Sequence, residues 1–566
     1  MGSALTHYTA ARQRQESVGN AEGLSRLDEK LGDLHRVLCQ YHDALATFNQ
    51  AQARTAEPAR RATLWCKQAE IWRTLGEHAR AADAYDAAEG EGGQNGAGLP
   101  VLTRAAIALG RGDLHSDMGA YGAADAAADR ALHLLASAPP GPATDVLLMQ
   151  AYHLQGNVAM RPWSLDRAED RFTQLLPLAE RRGDRHALAA AHMQLGRVML
   201  SSPGKLDRAE DLIGRARRCF DEIGDQEGSA RCWRGLGLVA RLRRDWAAAE
   251  EAFRHSITIG EAIGYDRHVA DLWGEMGILL LARGDPGGAA ASYERALAIY
   301  TGQDVWEGLW GCGLALGRIA LLRGNLACAE EHATRALAIA RERGETRHRA
   351  GAWHVLAQVA YERGKLGAAS CLGRLARRGA QAGSGELPRV LLTLARARLA
   401  GGRPEHAAIL LAHAQDCVAD SPSVYRLDIE LDLTLARADL ALDRAAVDEA
   451  EAMAPARALV RVAVGLREEA LVTMLEGRCA HVAGRVADAE ERLRAALASQ
   501  TALGLALDAA RTGVALAATL LAGSGSADAS AEALLLLAQA RTQFAASGAL
   551  LDLAQAEQLA ARWGIG

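Results

Sequence analysis

The stretch WGEMGILLLARGDPGGAAASYERA, from Trp273 to Ala296, decides how the whole chain is read. Glycine stands at Gly277 and Gly284, alanine at Ala289 and Ala296, and an aromatic ring at Tyr293. Working outward, the same spacing recurs on both sides. Ala289 has counterparts at Ala209, Ala249, Ala329 and Ala369, each 40 residues from the next. Trp233 and Trp353 match Trp273, and Gly237 and Gly317 match Gly277, with Ala357 in the same slot. Gly204, Gly324 and Gly364 match Gly284, and Arg244 is the exception. A fixed period of roughly 20–50 residues is the mark of stacked structural units.

Within one unit the apolar residues fall three and four apart, which places them on one face of a helix. Two such patterns are separated by a glycine, as in Arg283-Gly284-Asp285 and Arg323-Gly324-Asn325. Positive φ is cheap only for glycine, so a tight helix-to-helix turn is predicted there. Small residues at Gly277 and Ala289 predict close approach of the two helix backbones. Phe253 and Tyr293 are expected to fill the space between successive pairs. A lone helix pair leaves its apolar stripe wet, so neighbours must stack.

Trp273, Met276-Gly277, Gly284, Ala289, Tyr293 and Ala296 resemble the signature of the tetratricopeptide repeat family. The family's usual period is about 34 residues; the longer period here is similar to bacterial regulatory and scaffold members. The resemblance covers almost the whole chain. It implies an all-α, right-handed superhelical solenoid of about thirteen helix pairs. The motif residues are packing residues, so the resemblance speaks to fold before function.

In chain order, Ala4, Tyr8 and Ala11 repeat a second-helix pattern, so the chain is expected to open in mid-repeat, as a piece of a longer protein, with a cap helix as the alternative. Regular units are expected over 1–381, with a Pro162-Trp163 turn in the fourth. Degenerate units and a capping helix from Leu550 to Trp563 are expected over 382–566. Breaks near Gly383 and Ser423 suggest two arms, and an eleventh unit between Tyr425 and Val460 has a blurred register.

The charge is nearly balanced, 64 basic against 69 acidic residues, which argues against a nucleic-acid groove. Nine scattered cysteines, none in a C-x-x-C pair, read as free thiols in a reducing compartment. No signal peptide and no long uncharged apolar run is present, so a cytoplasmic location is expected. Gly204-Lys205 lacks the glycine-rich run of a phosphate loop, and Gly523-Ser524-Gly525 lacks the spacing of a nucleophile elbow. Arg347-His348-Arg349 reads as a solvated turn, and the histidines show no metal spacing. Neither an enzyme nor a cofactor site is expected.

The resemblance implies that first helices line a concave groove. Its groove-facing slots hold His153 and Asn157 in the fourth unit and Arg197 in the fifth. They hold Arg234 and Arg241 in the sixth, Arg318 in the eighth, and His354 and Tyr361 in the ninth. Glu29, Asp33, Glu70 and Asp113 make the front of the groove acidic. Arginine forks suit carboxylates, so a protein or peptide partner with an acidic segment is expected. A chaperone-tail clamp is matched only halfway, by His153 and Asn157. The expected role is a protein- or peptide-binding sensor or interaction region of a larger bacterial regulatory protein; a self-standing scaffold is the alternative, an enzyme without a recognisable motif the third reading, and self-association stays open. Ala289→Leu should overpack the helix junction and cost about 1–3 kcal/mol, read as a lower melting temperature.

Overall fold

A computed structural model describes residues 20–160, 164–202, 204–380, 386–419, 466–523 and 527–563, with isolated positions in 7–16 and 430–437. Among the described residues the regular structure is all helical. The opening at Ala4, the Pro162-Trp163 turn, the breaks near Gly383 and Ser423 and most of the eleventh unit lie outside them.

The helices come in pairs. The first are α1 (Ala21–Val37) with α2 (Tyr41–Ala53), α3 (Pro58–Thr74) with α4 (His78–Gly90), and α5 (Val101–Asp117) with α6 (Tyr121–Ala136). Next come α7 (Pro142–Met160) with α8 (Leu165–Arg182), and α9 (Arg185–Leu200) with α10 (Leu206–Ile223). The regular block continues with α11 (Gln226–Leu242), α12 (Trp246–Ile263), α13 (Asp266–Ala282) and α14 (Pro286–Gly302). It ends with α15 (Trp306–Leu322), α16 (Leu326–Glu342), α17 (Thr346–Glu362) and α18 (Leu366–Gly379). Then follow α19 (Glu386–Ala400), α20 (Pro404–Ala419), α21 (Leu466–Val482) and α22 (Val486–Ala502). The last are α23 (Ala506–Gly523), α24 (Ala527–Ser547) and the single α25 (Leu550–Arg562). The chain divides into two compact units, Met1–Gly235 and Leu236–Gly566, and the division falls inside α11.

The turn within a pair is built locally. Gly284 takes φ 75°, and its N–H donates to the Leu281 carbonyl at 2.9 Å. The Asp285 N–H donates back to the Leu280 carbonyl at 2.8 Å, satisfying carbonyls at the end of α13. The Asp285 side chain then accepts from the Gly288 N–H at 2.8 Å and caps α14. Asn325 and Asp245 cap α16 and α12 the same way. Arg244 and Cys39 hold φ of 63° and 58° in the glycine slot, so the fold imposes the left-handed turn even on residues that pay for it sterically.

The first glycine of the repeat is explained by a ring. A methyl carbon on Gly277 would lie 2.6 Å from the Tyr293 ring, and one on Gly237 would lie 2.5 Å from Phe253. Gly32 with Phe48 and Gly156 with Phe172 repeat the contact. The aromatic therefore sits on the glycine of its own helix pair. Phe253 also reaches the next first helix, sharing a buried cluster with Val269 and Leu272. Burying one such ring contributes about 1.5–3 kcal/mol.

The C-terminal helices of the second unit do not simply continue the row. Leu507, Ala510, Ala540, Phe544, Ala549 and Ala556 form one buried cluster with Ala320, Leu326, Ala329 and Val359 of α15–α17. Thus α23–α25 fold back onto the eighth and ninth pairs. Among the described residues α23 is the one helix long and apolar enough to cross a membrane. Its Leu516, Ala517 and Leu520 are instead buried against Leu493, Ala533 and Leu537.

The glycine–ring contact separates two otherwise equivalent glycines. Gly277→Ala should cost about 1–3 kcal/mol, because the ring must move. At Gly317 the nearest atom to an added methyl is the Ala329 carbonyl oxygen at 3.4 Å. Gly317→Ala should be neutral or gain up to about 1 kcal/mol in helix propensity. Paired urea melts of the two variants check the contrast.

Candidate partner-binding surface

Successive first helices lie side by side, so their outward side chains meet across repeats. In the first unit α7 and α9 bring four polar groups together. The Gln194 carboxamide donates to His153 Nε2 at 3.3 Å, and its oxygen accepts from the Arg197 guanidinium at 2.6 Å. Asn157 Nδ2 lies 3.3 Å from His153 Nδ1. His153 and Arg197 are exposed and Asn157 is half-buried. Desolvation by the surrounding helices, and then the charge of Arg197, push the His153 pKa below the ordinary histidine value. A neutral imidazole suits its role as acceptor from Gln194. Gln194 lies one residue beyond the groove slot of its repeat, so the slot pattern does not single it out.

The acidic front of the same unit is already neutralised. Glu29 and Asp33 on α1 pair with Lys67 on α3 at 2.9 and 2.7 Å, and Arg60 adds a 3.2 Å contact to Glu29. Glu70 pairs with Arg36 at 3.2 Å. Asp113 is half-buried, and its pKa is raised mainly by desolvation. Arg234 sits half-buried on α11.

In the second unit Arg241 faces Glu275 of α13 at 3.8 Å. Arg318 and His354 converge on a carboxylate of this chain. One Arg318 nitrogen reaches both Glu386 oxygens at 3.0 and 2.8 Å, and His354 Nδ1 lies 2.6 Å from the first. His354 Nε2 meets Thr393 Oγ1 at 3.0 Å. Three first helices, α15, α17 and α19, are thereby tied through one carboxylate. Burial alone would raise the Glu386 pKa; the charges of Arg318 and His354 outweigh it and hold the carboxyl far below its ordinary value.

Tyr361 faces inward. It lines a cavity of about 530 Å³ enclosed by α15, α17 and α19 on one side and the returning C-terminal helices on the other. Burial, then the neighbouring Glu362 carboxylate, push its phenol up to about 12. Arg511 stands at one wall, bound to Glu362, to Asp552 at 2.8 Å and to Asp508 at 3.5 Å.

Tandem helix hairpins of fixed period, packed ring on glycine, define a helical-repeat protein. Residues 228–302 match the tetratricopeptide repeat family model. The Cut9-Hcn1 hetero-tetramer of the APC/C is similar over 98% of this chain and 96% of that one, at 15% identity and a TM-score of 0.50. A Rap protein complexed with competence and sporulation factor is similar over 64% of this chain and 98% of that one, at 12% identity and 0.45. A signal transduction ATPase with a tetratricopeptide repeat sensor, from Pyrococcus horikoshii, is similar over 60% of this chain and 52% of that one, at 12% identity and 0.43. No curated protein matches the chain in sequence. Residues 228–302 carry the tetratricopeptide repeat, and the described residues on either side form helix hairpins of the same kind. At these identities the likeness to the solved structures is one of fold.

Glu386 gives this surface a pH signature. Its pKa is depressed on folding, so its stabilising effect is complete above the ordinary glutamate value of about 4.3. The effect fades as the pH falls from there through the lowered value. Glu386→Gln should therefore cost about 1–3 kcal/mol at pH 7, with the gap to the parent closing below about pH 4. Denaturant melts across pH 3–8 measure this.

Proposed function

We propose that the chain is a non-catalytic module that binds a protein or peptide partner along its first helices, as the sensor or interaction region of a larger regulatory protein. The observation that carries this reading is the His153–Gln194–Arg197 network with Asn157. His153 and Arg197 are exposed and Asn157 half-buried, and the buried Gln194 links them across two repeats. A packing surface would spend these positions on apolar residues. Arg197 offers a guanidinium fork, for which a carboxylate is a stronger acceptor than a neutral amide. The partner segment is acidic on this reading.

The test is Arg197→Glu combined with Asn157→Ala in the intact chain. Partners captured from the source cell with the parent chain should bind the double variant at least about tenfold more weakly, a loss of about 1.4 kcal/mol. The melting temperature should stay within a degree or two. Equal capture by the parent and the variant would overturn the assignment of this surface.

A further inference from the structure

The second unit encloses a cavity that the partner surface does not use. Its volume of about 530 Å³ falls within the 300–1,000 Å³ typical of small-ligand sites. Leu399, Leu411, Leu471, Met474 and Phe544 supply an apolar wall. Apart from Thr393, which meets His354, and Arg478, which is engaged elsewhere, the polar lining falls into two groups. In the first, every carboxylate is engaged. Glu362 and Asp552 bind Arg511, and Asp508 is shared between Arg511 and Arg467, each at 3.5 Å.

In the second group, Arg396 is exposed toward the cavity and, among the described residues, pairs with no carboxylate. Gln358 on α17 and Gln555 on α25 face the same space and make no hydrogen bond to the described residues. Tyr361 completes the set. A guanidinium, a phenol and two carboxamides offer many donors, while the carboxylate acceptors are already occupied. A ligand that satisfied them would bring an anionic group, and the leucine wall would take an apolar body.

We propose that this cavity binds a small organic anion, an apolar molecule ending in one carboxylate, with Arg396 as its charge partner. The site is independent of the surface on α7 and α9. A bound ligand touches both α17–α19 and α25, so occupancy ties the returning C-terminal helices to the regular repeats.

Decanoate is the probe, titrated into the intact chain by calorimetry, with decanol and decylamine as controls of equal length. Decanoate should bind and raise the melting temperature, and decanol and decylamine should each bind at least tenfold more weakly. Arg396→Gln should remove the preference for decanoate over decanol, and Arg396→Lys should keep most of it. Circular dichroism confirms that each variant is folded, as expected for an exposed arginine. The proposal fails if decanoate does not bind, if decanol binds as well, or if Arg396→Gln binds decanoate like the parent chain. Arg197→Glu should leave decanoate binding unchanged, which separates this site from the partner surface.

Discussion

The tightest packing in this fold depends on a hydrogen atom where a side chain would normally be. At Gly32, Gly156, Gly237 and Gly277 an aromatic ring from the second helix occupies the space a methyl group would need. That contact sets how close the two helices of a pair approach. It also aims the ring's far side at the next pair, so Phe253 meets Val269 and Leu272. One contact thus fixes both the hairpin and the stacking of its neighbour. Where no ring follows, as at Gly317, the other packing residues keep the same hairpin. The repeat is therefore over-determined, and individual slots drift while the period holds.

The period has an electrostatic consequence. Residues about 40 apart on successive first helices become neighbours, so charges that look scattered in the chain become partners. Lys67 lies 38 residues from Glu29 and 34 from Asp33 and binds both. Arg511 and Asp552 are 41 apart. Fully exposed pairs contribute little individually, and these are half-buried. Their effect here is on recognition: they decide which polar groups on the first helices remain available to a ligand. In the first unit the α1–α3 positions are neutralised internally, whereas the α7–α9 positions hold a neutral histidine and an exposed arginine.

How much of this was legible in the sequence follows the range of the interactions. The hairpins, the glycine turns and the stacked order are local, and the spacing of Gly277, Gly284, Ala289 and Tyr293 displays them directly. The groove slots are one step removed. Helical periodicity assigns Arg318 and His354 to slots of successive repeats, but the carboxylate they share, Glu386, stands at the start of α19 beyond any repeat slot. The return of α23–α25 was not visible at all. It rests on contacts such as Arg511 with Glu362, 149 residues apart, between ordinary arginines, leucines and alanines with no spacing to betray them. Tyr361 reads as a groove residue in sequence and becomes a cavity residue only because of that return.

The turn glycines show how the two levels meet. At Gly76, Gly119 and Gly204 an added methyl would touch nothing, so glycine is there for its positive φ alone. At Gly284 the same methyl would lie 2.3 Å from Leu503, and at Gly324 it would lie 3.0 Å from Leu507 and 3.2 Å from Ser547. At Gly364 the backbone of Leu551 lies 3.6 Å away. These are turns of the seventh, eighth and ninth pairs, met by the junctions flanking α23 and α25. A residue required by local geometry leaves a bare strip of backbone along three consecutive turns. The C-terminal helices seat on that strip, and seating there encloses the cavity around Arg396. The repeat's own folding rule supplies the surface on which the end of the chain closes the site.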